Sequence, residues 1–503
     1  MVLLTISSIG SWGVLLILLA LIIWFFANNA IKKLLFGDEF ANIEKPASGS
    51  LKVVDGKNVT ALSKGFNINL QGVANKVINN SFAPKTFAVK PSDWVGLQPI
   101  PKMMVKEGQS VLAGDVLFID RKMEGIFFTA PVSGVVSEIK RGDKRAITAV
   151  IITPDAQPKF KNFKKAAVSS LSKEEVLAQI VESGAFTSIT QRPFGLPALP
   201  NATPKAIFIS AFDTAPLAAD LDFVIDNLSS ADFQAGLDAL AKLTNKVHLN
   251  VRVGSNAKYT NAKNVQVNYF EGKDPAGRVG VQIHHIDAIK KGEMVWTIRP
   301  QDVATIGKLF NEGIYDPTEV VAVAGTPFAK TFYVKTKKGA SMSSLVQGID
   351  AKANRFISGN VLTGKQITAD DYIGAQDSIL TSVKEGTDYE MFGWLVPQYL
   401  RPSISPTFPW STNEKIAFDA NTNSHGEHRA FVVTGQYEEV LPMDIFPVHL
   451  LKAILAEDFE QIEGLGIYEV IEEDLALCEF VCTSKQPVQK ILREGLDYIY
   501  SQS

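Results

Sequence analysis

The chain has 503 residues, 46% of them hydrophobic and 20% charged, with 50 Lys and Arg against 53 Asp and Glu for a formal net charge of −3. Such a length carries about three domains, and so balanced a charge supplies no field for holding nucleic acid. Two cysteines, Cys478 and Cys482, can neither build a disulfide framework nor ligate a four-cysteine iron–sulfur cluster, and the scarce histidines show no metal-ligand spacing.

The first element is apolar. No charged side chain occurs from Val2 to Ile31, and Trp12–Ala27 is almost wholly aliphatic and aromatic. About 20 apolar residues cross a bilayer as a helix. Trp12 and Trp24 suit the two interfacial belts, and Lys32 and Lys33 place the following chain in the cytoplasm. No Lys or Arg precedes the span, as a cleaved signal peptide would require. Residues 1–36 are therefore read as a single-pass membrane anchor, and residues 37–61, mixed in charge with Gly, Ser and Pro, as a linker.

Residues 62–160 hold short Val, Ile and Phe runs punctuated by Gly108, Gly114, Gly125, Gly134 and Gly142. They predict a small β domain of the hammerhead, biotinyl/lipoyl-like shape. Lys122 lacks the flanks of a modified lysine, so the domain is read as a scaffold. Residues 161–312 alternate helical and strand patterns: Lys173–Ser183, then Ala206–Ala211, Phe233–Leu243, Lys246–Val253, Val265–Phe270 and Pro300–Asn311. That alternation predicts a Rossmann-like parallel α/β layer. Adjacent His284 and His285, taken as strand residues, would point to opposite faces and share no metal. Residues 313–385 return to strands around a helical piece, SSLVQGI, and suit a β-grasp-like insert. Residues 386–445 are loop-rich β. Residues 446–503 read as C-terminal helices, including Val448–Glu457, Glu473–Ser484 and Gln489–Tyr500. Cys478 and Cys482 then lie i, i+4 on one helix face as packed core.

A nucleotide-binding α/β layer needs glycines where a strand feeds a helix. Neither GxGxxG nor GxxxxGK[ST] occurs, and in the Gly184–Pro197 loop Phe186 and Phe194 would keep a phosphate off the backbone amides. Asp213, after the AIFISA strand, is read as the cap of the next helix. No nucleophile–base arrangement stands out, so no catalytic residue is assigned.

Several stretches in order, SAFDTAPLA (Ser210–Ala218), PAGRVGVQIHHI (Pro275–Ile286), SGNVLTG (Ser358–Gly364), EMFGW (Glu390–Trp394), EEDLALCEFVC (Glu472–Cys482) and ILREGLDYI (Ile491–Ile499), resemble the A subunit of the sodium-translocating NADH:quinone reductase. The resemblance runs from about Lys64 to the C-terminus. It implies a cytoplasm-facing component of a bacterial inner-membrane complex that passes electrons from NADH to quinone and exports Na⁺. FAD, FMN, riboflavin and Fe–S centres would lie in other subunits, and this chain would dock chiefly on the membrane-embedded B subunit. It further implies a fold like the flavoprotein subunit of complex I, here without flavin, cluster or metal. The anchor is additional to the family pattern. A quinone contact needs aromatic faces and a donor for the carbonyl oxygen, and Trp94, Phe186, Arg192 and Phe194 are the candidates. Two other readings stand beside this one: a purely structural, membrane-tethered scaffold, and an FMN-dependent electron-entry component like the C subunit of the Rnf complex.

Overall fold

A computed structural model describes residues 49–123, 125–386, 401–405 and 416–502. The anchor expected at residues 1–36, with Trp12, Trp24, Lys32 and Lys33, lies outside them, as does EMFGW. Among the described residues no helix is long and apolar enough to cross a membrane.

Strands β1 (Gly49–Val54) and β2 (Lys57–Leu62) form an antiparallel hairpin. This corrects the linker expected over 37–61: its second half is strand. Exposed Leu51 and Val53 leave the hairpin without a clear buried face, which is why the alternation does not show in the sequence.

The β domain follows. Strands β3 (Phe87–Val89), β4 (Lys102–Met103), β5 (Ser110–Val111), β6 (Val116–Ile119), β7 (Phe127–Thr129), β8 (Gly134–Arg141) and β9 (Ile147–Pro154) make two sheets, ordered β3-β9-β8-β5 and β4-β6-β7. Trp94, Leu117, Phe118, Phe128, Val136 and Val150 belong to one buried cluster in this domain, with Phe118 stacked on Phe128 at 4.8 Å.

In the α/β layer, helix α1 (Lys173–Ser183) starts at a capping box between Ser172 and Glu175 and stops at Gly184, whose φ is 83°. Strands β10 (Thr190–Arg192), β11 (Leu196–Pro197) and β12 (Ile207–Ser210) follow, then helix α2 (Ser230–Leu243), capped by Ser229. Next come β13 (Val247–Arg252), β14 (Gln266–Glu271), α3 (Val279–Asp287), β15 (Val295–Thr297) and α4 (Pro300–Glu312), which opens on proline at its first position. The sheet order is β1-β2-β14-β13-β12-β15-β10-β11. β2, β14, β13, β12 and β15 run parallel, while β1 and β10 are antiparallel to their neighbours β2 and β15. One face buries Ile207 and Ile209 against Ile180 of α1, Leu237 of α2 and Val303 of α4. On the other face, Phe208 and Val295 cluster with Ile283 of α3. The amphipathic helices thus cover both faces of strands that are themselves apolar on both sides. His284 and His285 lie on α3 rather than on a strand. His284 Nδ1 pairs with Glu469 at 2.6 Å, and His285 Nε2 bonds the Pro442 carbonyl at 2.8 Å.

The fourth sheet, β16 (Thr318–Ala324), β17 (Phe332–Lys337), β18 (Asn354–Ser358), β19 (Lys365–Ile367) and β20 (Ile379–Lys384), is mixed and ordered β17-β16-β20-β18-β19. SSLVQGI forms turns rather than the expected helical piece, its backbone being held by i,i+3 bonds such as Leu345 N to Met342 O at 2.8 Å. Alternate residues of β16 face opposite ways. Val321 and Val323 enter the sheet's own core, and Val320, Ala322 and Ala324 join the C-terminal core. That core is built with α5 (Pro447–Leu455), α6 (Ala476–Val481) and α7 (Val488–Gln502). The helix expected over Glu473–Ser484 is shorter: a 3₁₀ turn spans Glu472–Leu475, and Cys482 caps α6 with extended backbone. Both cysteines are buried and free.

Candidate functional site

At the carboxyl ends of the parallel strands, the chain runs from β12 outward to β13 and β14, then returns to place β15 on the other side of β12. Ligands of open α/β sheets sit in the crevice that such a reversal opens. A cavity of about 380 Å³ lies there. Ser210, Phe212 and Asp213 line it as the chain leaves β12, and Thr297, Ile298 and Arg299 as it leaves β15. Gly277 and Arg278 enter ahead of α3, Thr190 and Arg192 from β10, Trp94 from the β domain, Asn360 and Gln376–Ile379 from the fourth sheet, and Glu473 from the C-terminal region.

Close backbone approach shapes one wall. A Cβ on Gly277 would lie 2.6 Å from the Thr214 amide, so only glycine lets this loop meet the Asp213–Thr214 turn. Thr214 Oγ1 donates to Asp274 at 2.8 Å and accepts from the Gly277 amide at 3.0 Å. Beneath, Asn268 donates to Asn250 at 2.9 Å, Asn250 to Gln282 at 2.8 Å, and Gln282 to Ser210 at 2.9 Å. Buried amides satisfied in series fix the wall rigidly. Asp213 does not cap the next helix, as expected from sequence. It accepts the Ala215 amide at 2.9 Å, and Asp220 takes the cap by accepting from Phe223.

Three arginines and four carboxylates, Asp93, Asp213, Asp377 and Glu473, line the cavity. Arg192, 1% exposed, gives Nη1 to Asp474 Oδ2 at 2.5 Å and Nη2 to Glu473. Burial opposes its charge, but Asp474 and Glu473 outweigh that and hold it protonated. Arg299 binds Asp302 through Nε at 2.7 Å and lies 3.6 Å from Glu319. Burial raises the Glu319 carboxyl to about 8, and Arg299 only partly counters it. Arg278 is different: Nη1 stands 3.9 Å from both Asp213 and Glu473, and Nη2 has no partner among the described residues.

Of the four residues expected to contact quinone, Trp94 and Arg192 line the cavity and Phe186 and Phe194 do not. The Trp94 indole N–H donates to Thr187 O at 2.9 Å, and its ring meets Phe128 edge-on at 4.8 Å. Phe186 packs edge-on against Trp296 at 5.5 Å. Phe194 packs against Tyr468 and Tyr500. Arg278, Arg299, Asn360 and Glu473 were missed. A signal for three of them existed: Arg278, Asn360 and Glu473 sit inside the PAGRVG, SGNVLTG and EEDLALC stretches. Among the described residues no group of three or more His, Cys, Asp or Glu is placed to hold a metal ion.

Three family models match the chain: the NqrA N-terminal barrel-sandwich hybrid domain over residues 60–155, the NqrA second alpha/beta domain over 171–315, and the NQRA C-terminal domain over 320–369. The A subunit of the Na(+)-translocating NADH-quinone reductase of Serratia proteamaculans is 38% identical over 445 residues, covering 87% of this chain and 98% of the relative. Its counterpart from Neisseria gonorrhoeae gives the same identity and coverage. Among solved structures, an NAD⁺-reducing [NiFe]-hydrogenase in the H₂-reduced state aligns with 67% of this chain and 64% of its own at 11% identity and a TM-score of 0.37, too slight a likeness to inform the site. On the three matched domains and the near-complete coverage of these relatives, the chain belongs to the family of the A subunit of the Na(+)-translocating NADH-quinone reductase.

Proposed function

We propose that this chain is the cytoplasm-facing A subunit of a sodium-pumping NADH:quinone oxidoreductase, that it carries no flavin or iron–sulfur centre, and that it holds quinone in the crevice cavity. The observation that carries this reading is the cavity itself. Its volume, about 380 Å³, falls within the range of small-molecule sites. Its arginines and carboxylates nearly cancel, which disfavours a phosphorylated ligand and suits a neutral ring with carbonyl oxygens. Trp94 offers the aromatic face and Arg192 stands in the wall, while Phe186 packs on Trp296 and Phe194 on Tyr468 and Tyr500. The Gly184–Pro197 segment, where a flavin phosphate would nest, is occupied by buried side chains and the short strands β10 and β11.

The membrane-embedded B subunit is the chief docking partner in this reading, and residues 1–36 tether the chain to the bacterial inner membrane by one span. Residues 62–160, 161–312, 313–385, 386–445 and 446–503 form its successive domains. A photoreactive short-chain quinone added to the purified full chain tests the reading. Saturable labelling of peptides containing Trp94 or Asn360–Asp377 supports it. Labelling elsewhere, or none displaceable by excess quinone, refutes it, and a flavin absorbance band in the purified chain would favour the Rnf-like alternative. The scaffold alternative draws on the Arg192–Asp474 pair, which ties the β10 segment to the C-terminal region.

A further inference from the structure

We infer that Arg278 is the hydrogen-bond donor to a carbonyl oxygen of the ligand in the crevice cavity, and that Arg192 positions the wall without touching the ligand; this rests on the quinone reading above. The argument is an accounting of donors. A buried guanidinium has five N–H groups, each costly to leave unpaired. The terminal nitrogens of Arg192 are taken by Asp474 and Glu473. Its position is fixed from behind as well: a Cβ on Gly280 of α3 would lie 2.4 Å from Arg192 Nη1 and 2.3 Å from Asp474 Oδ1. Arg299 is likewise engaged, with Asp302 at 2.7 Å, Ser378 Oγ at 3.3 Å and the Ala375 carbonyl at 3.3 Å.

Arg192 keeps its Nε without a partner among the described residues, but both of its terminal nitrogens are bound; of the three, Arg278 alone has a terminal nitrogen without one. It is 7% exposed, lines the cavity, and its nearest carboxylates stand at 3.9 Å, beyond hydrogen-bond reach. Asp213 and Glu473 hold the charge in place electrostatically and leave Nη2 without an acceptor among the described residues. The Arg278 backbone occupies the N-cap of α3, and Gly277 before it is locked against the Asp213–Thr214 turn, so the side chain springs from a rigid base. A neutral carbonyl is the acceptor this site selects. An anion would meet four carboxylates, and an apolar ring without oxygens would leave Arg278 Nη2 unpaired.

The test uses a ¹³C-carbonyl-labelled short-chain ubiquinone bound to the purified full chain, read by the infrared carbonyl stretch and by the dissociation constant. The wild-type chain is expected to show one carbonyl stretch shifted down from its value in an aprotic solvent. Arg278→Gln is expected to weaken binding about tenfold and return the stretch toward the solvent value. Arg278→Lys keeps the charge that Asp213 and Glu473 require, so it reports on donor geometry even where the glutamine variant fails to fold. It should shift the stretch to an intermediate value. An unchanged stretch in Arg278→Lys with quinone still bound overturns the assignment and leaves the cavity reading intact. Absence of quinone binding by the wild-type chain overturns both.

Discussion

Replacing Arg192 by methionine tests whether the pair it forms is a structural pin. Arg192 is 1% exposed and the Asp474 side chain is fully covered. Asp474 Oδ2 accepts from Arg192 and from the Ile471 amide at 2.9 Å, and Oδ1 has no partner among the described residues. Arg192→Met leaves a carboxylate in a sealed site with a single backbone donor. Removing one member of such a buried pair costs ~3–5 kcal/mol. Removing both takes away the sealed carboxylate and leaves only Glu473, whose side chain is 32% exposed and 3.9 Å from Arg278, so Arg192→Met with Asp474→Leu is expected to recover most of that loss. The two residues are 282 apart in sequence, and breaking their link frees the β10 segment from the C-terminal region. Unfolding of a chain with several cores need not be two-state, so the readout is hydrogen exchange in peptides covering 184–197 and 471–482, with urea titration alongside. The reasoning fails if Arg192→Met protects those peptides within about 0.5 kcal/mol of wild type. It fails equally if the double variant is as unstable as the single one.

Helices α2 and α4 meet through glycine: a Cβ on Gly307 would lie 1.6 Å from the Asp232 carbonyl oxygen. Gly307→Ala must push backbone from backbone, and a loss of ~3 kcal/mol is expected, beyond the usual overpacking range once the ~1 kcal/mol helix gain of alanine is repaid. Gly464, helical with nothing within 4 Å of its Cβ position, is the control, and Gly464→Ala should be neutral or stabilising by thermal melting. Equal melting temperatures for the two variants would remove the case for close packing. Glu319 makes stability depend on pH. Its carboxyl titrates at about 8 when folded, above the ordinary value near 4.3 when unfolded. The folded chain therefore binds the extra proton across that window, and stability falls as pH rises from about 4.3 through 8. Glu319→Gln should gain on wild type over that range, and melting curves that keep a constant separation from about pH 6 to 9 would contradict this.

Elements with a local signature were readable from the chain. Helix α1 announces itself by Ser172, Glu175 and a terminal Gly184, and β12 by four successive apolar or small residues. The Leu51 and Val53 hairpin was not, because it is stabilised by pairing with β14 rather than by an apolar face of its own. SSLVQGI has helical spacing, but Gly348, at a φ of 84°, breaks the run before it can become a helix. At the site, Trp94 and Arg192 were named from the sequence and line the cavity, while the crevice itself was not foreseen, because it is assembled from segments far apart in the chain. Nor could its electrostatics be read. Whether an arginine is spent or free depends on acids far away in the chain, and Arg192 and Arg278 look alike until Glu473 and Asp474 are placed beside them.

The pairing of Val59 with Tyr269 has a consequence for biosynthesis. From residue 59 to residue 269 the ribosome adds 269 − 59 = 210 residues, which takes roughly 10–40 s at about 5–20 residues per second. Through that interval the nascent hairpin waits with its outer backbone unpaired, an invitation to wrong partners. Lys57, at the start of β2, charges that edge while it waits and later sits over the Tyr269 ring at 4.6 Å, and Lys52 on the neighbouring β1 later pairs with Glu271. One ammonium group guards the unfinished strand, and both then fasten the finished one.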